Sequence, residues 1–336
     1  MSDNTGIGWT NATWNVVTGC DKVSAGCKNC YALRDWARLA ANPKTVYYGR
    51  AFTDFAVHAE RLSQPLRWTK PRMIFVNSMS DLFHKDAPFK FIASVFGVMA
   101  LATEHTFQIL TKRPERMLEF FTWLTAVSGQ NGPFRYCIEQ AKATGATKGT
   151  RAEKALLFKS SLEERSATVT AWPLRNVWLG VSAENQSTAD ERVPLLLKCP
   201  AAVRWVSAEP LLGPLELDFA FNMHLDTYGN WRAGGGIDWV VVGGESGPKA
   251  RPMAENWALA VARSCRKHNV PFFFKQWGEW QPESMNAGLK ATKLLSVPDP
   301  GSDQRMLRVG SNAQGWDLLE GARWQEFPRN LQGKQS

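Results

Sequence analysis

The chain has 336 residues, 44% of them hydrophobic and 21% charged, enough ordinary globular sequence for one large domain or two medium ones. Its formal net charge of +9 favours a polyanionic partner, while the lack of any run of about 18 apolar residues argues against a membrane span. The opening Met1-Ser-Asp-Asn-Thr5 has neither the basic nor the apolar part of a secretory leader, so the expected compartment is a reducing cytoplasm. There, six cysteines read as metal-binding or catalytic rather than as a disulfide framework.

Taken in chain order, one unit recurs: a short apolar run, a polar or glycine-rich turn, then a helical segment. Trp14–Thr18 is the first strand candidate, followed by Met73–Asn77, Thr106–Thr111, Asn176–Ser182, Val203–Ser207, Trp239–Gly243 and Pro271–Lys275. These runs are short and rich in β-branched and aromatic residues, as expected of strands covered on both faces of a parallel sheet. Helices are expected at Phe89–Ala102, Ala189–Leu197 and Ala254–Lys267. Seven strands alternating with helices, without a dinucleotide-binding glycine fingerprint, imply an α/β fold. The expected form is a complete or partial TIM-like (β/α) barrel of parallel strands over residues 1–282. Residues 283–336 form a C-terminal extension that wraps it.

Two segments break the rhythm. Residues 125–171 contain Gly129-Gln-Asn-Gly-Pro133 and then a charged, Ala- and Lys-rich stretch, as a helical insertion that is either a lid or a solvated helix pair. Residues 219–236 are polar and glycine-containing, the pattern of a surface loop or hairpin. Most of the 15 tryptophans fall in or near the strand candidates and are expected in the core.

The chemistry concentrates in Gly19-Cys20-Asp-Lys-Val-Ser-Ala-Gly-Cys27-Lys-Asn-Cys30, a C-x6-C-x2-C spacing. Cys27 and Cys30 form the tight half of a chelate, and Gly26 relieves the turn that brings Cys20 back. Thiolates are soft donors that select zinc or iron–sulfur. A structural zinc site closes at four ligands, whereas Cys137, Cys199 and Cys265 are isolated and the nearest downstream histidine, His58, lies outside any finger spacing. A [4Fe-4S] cluster ordinarily takes four thiolates, so three leave one iron open. An open iron is what the amino and carboxylate groups of S-adenosylmethionine (SAM) require. A zinc-binding, nucleic-acid-binding protein is the alternative reading of the same cysteines.

In a (β/α) barrel the chemistry stands at the C-terminal ends of the strands. The residues there are Asn77, Ser78, Ser80 and Asp81; Thr111, Lys112 and Arg113; Ser182, Glu184 and Asn185; Glu209; Gly243-Gly244-Glu245-Ser246; and Lys275, Gln276 and Trp277. Lys112, Arg113 or Ser182 suits the SAM carboxylate, and Glu184 or Glu209 the ribose hydroxyls; Ser78 completes the ring. Asp81, His84 and Glu245 are the candidate proton-transfer groups, with a structural role as the alternative for His84. Trp277 reads as a base-stacking residue or as a barrel cap.

Three cysteines in a loop after the first strand resemble the radical SAM superfamily, whose usual spacing, C-x3-C-x2-C, has a shorter first gap. More closely, Trp14-Asn-Val-Val-Thr-Gly-Cys20, Cys27-Lys-Asn-Cys30-Tyr31-Ala and Ser78-Met-Ser-Asp-Leu-Phe83 resemble a phage- and prophage-associated, radical-SAM-like family whose members carry a numbered gene-product name. That resemblance runs from about residue 7 to about residue 282. It implies a [4Fe-4S] cluster on Cys20, Cys27 and Cys30, SAM as second cofactor, and a 5′-deoxyadenosyl radical that abstracts a substrate hydrogen. It further implies Tyr31 against the cluster or adenine, and a Gly243-Gly244-Glu245 element near the methionine moiety or the substrate. The electron donor would be a flavodoxin or ferredoxin in the host cytoplasm. The substrate would be a nucleotide or a DNA base, with modification or rearrangement of a thymidine-derived base in hypermodified phage DNA as the leading candidate.

Overall fold

The computed structural model describes residues 5–158, 172–221, 223–225, 231–233, 235–285, 288, 290–299, 303–310 and 315–328. The strands are β1 (Ala12–Trp14), β2 (Val17–Thr18), β3 (Ala56–Val57), β4 (Met73–Val76), β5 (Thr106–Thr111), β6 (Val177–Ser182), β7 (Val203–Ala208), β8 (Met223–Leu225), β9 (Trp231–Ala233), β10 (Trp239–Gly243), β11 (Phe272–Gln276), β12 (Trp280–Pro282), β13 (Lys293–Val297) and β14 (Gln304–Arg308). The helices are α1 (Tyr31–Ala40), α2 (Phe89–Leu101), α3 (Pro114–Ser128), α4 (Gly132–Ala143), α5 (Arg151–Phe158), α6 (Gln186–Leu197) and α7 (Glu255–Lys267). Seven strands make one sheet in the order β1-β4-β5-β6-β7-β10-β11. Sequential parallel strands joined through helices are the construction of a (β/α) barrel, here a partial one with seven strands rather than eight.

The chain divides into two compact units. The first comprises Met1–Asp21, Arg38–Gly180 and Cys199–Val203; the second comprises Lys22–Ala37, Val181–Lys198 and Arg204–Ser336.

In the first unit β1, β4 and β5 pair in parallel, with Ala12 opposite Ile74 and Ile74 opposite Phe107. The expected strand Trp14–Thr18 is broken in two. The side-chain oxygen of Asn77 accepts hydrogen bonds from the N–H groups of Val16 (3.0 Å) and Val17 (3.2 Å), taking donors that a continuous strand would give to its neighbour. Asn77 itself sits at φ 63°, a left-handed conformation that Asn tolerates better than most residues. The short β2 then pairs antiparallel with β3. Helix α2 is buried at every position from Phe91 to Ala100. It packs against α4, whose Phe134, Cys137, Ile138 and Ala141 are buried in turn. A Cβ on Gly97 would come within 2.0 Å of the Cys137 carbonyl oxygen, so this helix crossing requires glycine. The end of α3, with α4 and α5, occupies the described part of the expected insertion; residues 159–171 lie outside the described residues.

In the second unit β7, β10 and β11 pair in parallel, with Val206 opposite Val240 and Val240 opposite Phe272. Helix α6 starts three residues earlier than the apolar pattern predicts. Asn185 caps it by accepting from the Thr188 N–H at 3.1 Å, while the Thr188 hydroxyl accepts from the Asn185 N–H at 3.1 Å, a reciprocal capping box. Strands β8 and β9, in the segment expected as a loop or hairpin, pair antiparallel, and β12, β14 and β13 form a separate antiparallel sheet. Trp205, Trp239 and Trp277 are fully buried here, as Trp14 and Trp178 are elsewhere. Among the described residues no helix is long and apolar enough to cross a membrane.

Candidate metal and cofactor site

Cys20 belongs to the first unit, and Cys27 and Cys30 to the second. All three are half-buried, whereas Cys137, Cys199 and Cys265 are buried, so only the motif thiols are open to a ligand. Burial pushes the Cys137 thiol up to about 12.

In the first unit Gly19 makes the turn that presents Cys20. Its φ is 91°, and a Cβ there would stand 2.4 Å from the Asp54 carbonyl oxygen. The Cys20 N–H donates to the Phe52 carbonyl at 2.9 Å. Around it lies a hydrogen-bonded network at the ends of β4 and β5. Asp81 is 5% exposed. Its carboxylate accepts from the Phe83 N–H (2.9 Å), the Thr111 hydroxyl (2.8 Å), the Lys112 N–H (3.1 Å) and Arg113 Nη1 (3.0 Å). Arg113 Nη1 also donates to Cys20 Sγ at 3.6 Å, and Nη2 to the Asp21 carbonyl at 3.0 Å. Burial alone would lower the pKa of Arg113; Asp81 and Cys20 outweigh it, and the guanidinium stays charged.

His84 is 1% exposed and stacks on Phe55 with ring centroids 4.5 Å apart. Its Nδ1 accepts from the Asp86 N–H at 3.3 Å, which leaves Nε2–H to donate to Asp21 Oδ2 at 3.2 Å. Burial first, then Arg113, holds the His84 pKa below its usual value. Lys85 reaches the same Asp21 oxygen at 3.1 Å. The Ser78 hydroxyl donates to Asn15 Oδ1 at 3.2 Å.

In the second unit the tight half of the motif is a 3-10 turn, Ala25–Cys27, leading directly into α1. Cys30 immediately precedes the first residue of that helix. Two buried carboxylates from the sheet hold this loop. Glu184, after β6, accepts from the Ser24 hydroxyl at 2.8 Å and from Arg192 Nη1 at 3.1 Å. A Cβ on Gly26 would lie 2.2 Å from Glu184 Oε1, so glycine is required for the loop to reach the strand. Glu245, after β10, accepts from Asn29 Nδ2 at 2.9 Å and from Arg251 Nη2 at 2.6 Å, and Arg251 Nη2 also donates to the Ala25 carbonyl at 3.0 Å. Burial alone would raise the pKa of Glu245; the bonds from Arg251 and Asn29 outweigh it and hold the carboxyl below its usual value.

Glu209 pairs with Lys275 at 2.8 Å and accepts from the Ser207 hydroxyl at 3.2 Å. Gly243 lies against Glu209, and Gly244 against the Trp277 backbone, where a Cβ would meet the carbonyl oxygen at 1.9 Å. Ser182 is buried, and its carbonyl accepts from Arg192 at 2.8 Å. Trp277 is 1% exposed and donates its indole N–H to the Leu318 carbonyl at 2.7 Å, which makes it a core residue. Tyr31 is 44% exposed. Lys22, Lys28, Arg34 and Lys249 are exposed as well. Asn29 Nδ2 ties the motif to the Lys249 carbonyl at 2.8 Å, and Arg34 Nη1 to the Ser246 carbonyl at 3.3 Å.

Three thiols open to a ligand, with Cys20 beside a guanidinium in the first unit and Cys30 just before a helix in the second, are donors of the chemical type that binds iron–sulfur or zinc. Among the described residues no three His, Cys, Asp or Glu side chains are gathered closely enough to hold a bare metal ion. Arg113, Arg192, Arg251, Ser24 and Asn29 escaped sequence reasoning as partners of the motif. The available signals were Ser24 and Asn29 inside the motif and an Arg113-Pro114 step at a helix start.

A family model described as "Protein of unknown function (DUF5131)" matches residues 4–328, nearly the whole chain. The chain belongs to this family. No curated protein matches this DUF5131 member. Among solved structures it aligns with spore photoproduct lyase. One is a cysteine-to-serine mutant, 9% identical over 92% of this chain and 71% of that one, with a TM-score of 0.36. Another is a double mutant with bound AdoMet and dinucleoside spore photoproduct, 8% identical over 94% of this chain and 73% of that one, with a TM-score of 0.37. Likeness at this level bears on neither the fold nor the chemistry of the DUF5131 chain.

Proposed function

We propose that this chain is a radical SAM enzyme of the cytoplasm acting on a nucleotide or nucleic-acid base. The observation that carries the proposal is the C-x6-C-x2-C loop after β2, with three half-exposed thiols, in a chain whose parallel sheet is a partial (β/α) barrel. Cys20, Cys27 and Cys30 would hold a [4Fe-4S] cluster. When bound, the cluster and SAM supply one-electron chemistry able to abstract an unactivated hydrogen.

The chain's own residues orient and enclose that chemistry. Glu184 and Glu245 fix the Cys27–Cys30 loop through Ser24 and Asn29, and Asp81 fixes Arg113 beside Cys20. Tyr31, Ser78, Lys112, Ser182, Glu209, Gly243 and Gly244 are the proposed SAM-facing positions, together with the Glu184 carboxylate. The cations Lys22, Lys28, Arg34 and Lys249 suit phosphates, and the exposed Tyr31 ring suits stacking on a base. A base inside a duplex would have to be flipped out to react. The finest form of the reading is modification or rearrangement of a thymidine-derived base in phage DNA, with a flavodoxin or ferredoxin as electron donor.

The test is anaerobic reconstitution with iron and sulfide, followed by incubation with SAM and a reductant. Expected results are iron and sulfide bound in equal numbers, visible charge-transfer absorbance, and 5′-deoxyadenosine as product. A chain that takes up only stoichiometric zinc and releases no 5′-deoxyadenosine is not a radical SAM enzyme, and the zinc-binding reading then replaces it.

A further inference from the structure

In the second unit, strand β11 carries one residue more than its neighbour β10 where the two run out. Val242 stands opposite Phe274 and Gly243 opposite Gln276, which leaves Lys275 as the extra residue of a bulge. Bulges are uncommon between parallel strands, and where they occur they re-aim a side chain. Here the Lys275 ammonium meets the carboxylate of Glu209, the residue just past β7, at 2.8 Å. Strand β10 lies between the two and ends on Gly243, where a Cβ would stand 2.8 Å from Glu209 Oε1. The bulge and the glycine together let a charge from each outer strand meet across the middle one. The buried Ser207 hydroxyl donates to the other carboxylate oxygen, Glu209 Oε2, at 3.2 Å.

Both charged groups keep unused capacity. An ammonium has three donors, and each carboxylate oxygen has two lone pairs. Among the described residues Lys275 has Glu209 as its one partner, and Glu209 has Lys275 and Ser207. The two side chains are 21% and 14% exposed, so an incoming molecule can reach them. An ion pair at this depth is a weak source of stability, and packing alone does not call for two backbone devices to build it.

We propose that Lys275 and Glu209 read the lactam edge of a substrate nucleobase, an N–H beside a carbonyl as in thymine. The assignment rests on the chain acting on a nucleotide base, and enzymes that take a base out of the stack recognise it by hydrogen bonds to this edge. The carboxylate accepts from the base N–H, and the ammonium donates to the neighbouring carbonyl oxygen. Both bonds are charge-assisted, which makes them strong for their number. Strand order alone assigns Glu209 to the ribose hydroxyls of SAM; its pairing with Lys275 turns it to the substrate base instead.

The experiment titrates the full chain with thymidine, N3-methylthymidine and adenosine in a calorimeter. The N3-methyl group removes the N–H and leaves both carbonyls. Wild type is expected to bind thymidine about 10- to 100-fold more tightly than N3-methylthymidine, the range for a hydrogen bond to a charged group. Lys275→Met should weaken thymidine binding by a similar factor, and Glu209→Met should bind the two nucleosides alike. Arg263→Gln, an exposed position on α7, should match wild type.

Unchanged thymidine affinity in Lys275→Met, or undiminished discrimination in Glu209→Met, overturns the proposal. Adenosine bound more tightly than thymidine, with the same dependence on Lys275, places the pair on the cofactor's base and overturns it as well. Should circular dichroism show a single variant unfolded, the double variant, which strands no charge, is read in its place. Equal and weakened binding of the two nucleosides is then expected, and retained discrimination overturns the proposal. A wild-type chain without affinity for thymidine overturns it too, while the reconstitution test still decides the radical chemistry. A chain that discriminates as expected but assembles no cluster refutes the radical SAM reading alone.

Discussion

Replacing Arg192 by methionine removes one half of an ion pair whose side chains are 3% and 1% exposed. In the wild type, Arg192 Nη1 stands 3.1 Å from Glu184 Oε2 and 2.8 Å from the Ser182 carbonyl oxygen. Methionine fills much of the same volume and carries no charge, so the variant leaves a buried carboxylate without its counter-ion. Breaking a buried pair in this way costs about 3–5 kcal/mol. With an unfolding entropy of about 2.1 cal/mol/K per residue, roughly 0.7 kcal/mol/K for the whole chain, melting should fall by about 4–7 °C. The double variant Arg192→Met with Glu184→Gln removes the stranded charge and should recover most of the loss. Urea titration followed by circular dichroism, run as a double-mutant cycle, measures both. An Arg192→Met chain within about 1 kcal/mol of wild type, or a double variant no more stable than the single one, would show that the pair does not hold this part of the fold. Because Glu184 also accepts from Ser24, the single variant should loosen the cysteine loop as well, which a lower iron content after anaerobic reconstitution would register.

Acidification tests the buried histidines. Burial holds His58, His84 and His105 below the usual value of 6.5. Below pH 6.5 the unfolded chain therefore takes up protons that the folded chain refuses, so stability present above that pH is lost as it falls toward the depressed folded values. His105→Gln should remove about one proton from that linkage, and urea midpoints that fall as steeply in the variant as in wild type below pH 6.5 would refute the argument. Among the exposed basic residues, Lys28→Glu and Lys249→Glu should each weaken binding to a labelled oligonucleotide and lower the salt slope by about 1. An unchanged slope in both variants would exclude those lysines as phosphate contacts.

The parallel strands were legible because each is a short β-branched or aromatic run bounded by polar turns, and the sheet buries Ile74, Phe107, Val206 and Val240 accordingly. The cysteine motif was legible because three ligands within a span of eleven residues need no tertiary information. The networks that hold it were not. Arg113 and Cys20 are 93 residues apart, and Ser24 and Glu184 are 160 apart, so only the folded sheet brings each pair within hydrogen-bond range. The break between β1 and β2 was hidden for the same reason, since it depends on Asn77, some 60 residues downstream. The early start of α6 lay within reach: Asn185 and Thr188 form a capping signature that apolar periodicity overlooks.

Helix α2 has no polar face at all between Phe91 and Ala100, and α4 packs against it with the Cys137 backbone at Gly97. A helix apolar all round is stable only when it is covered all round. The segment Gly132–Ala143 is therefore inseparable from the helix it covers. A shortened chain that joined α3 directly to β6 would expose a continuous apolar stripe and associate with itself unless α2 were rewritten with polar residues. Conversely, the residue at position 97 reports the presence of the covering helix: a side chain larger than hydrogen there signals a chain in which α4 has moved away or is missing.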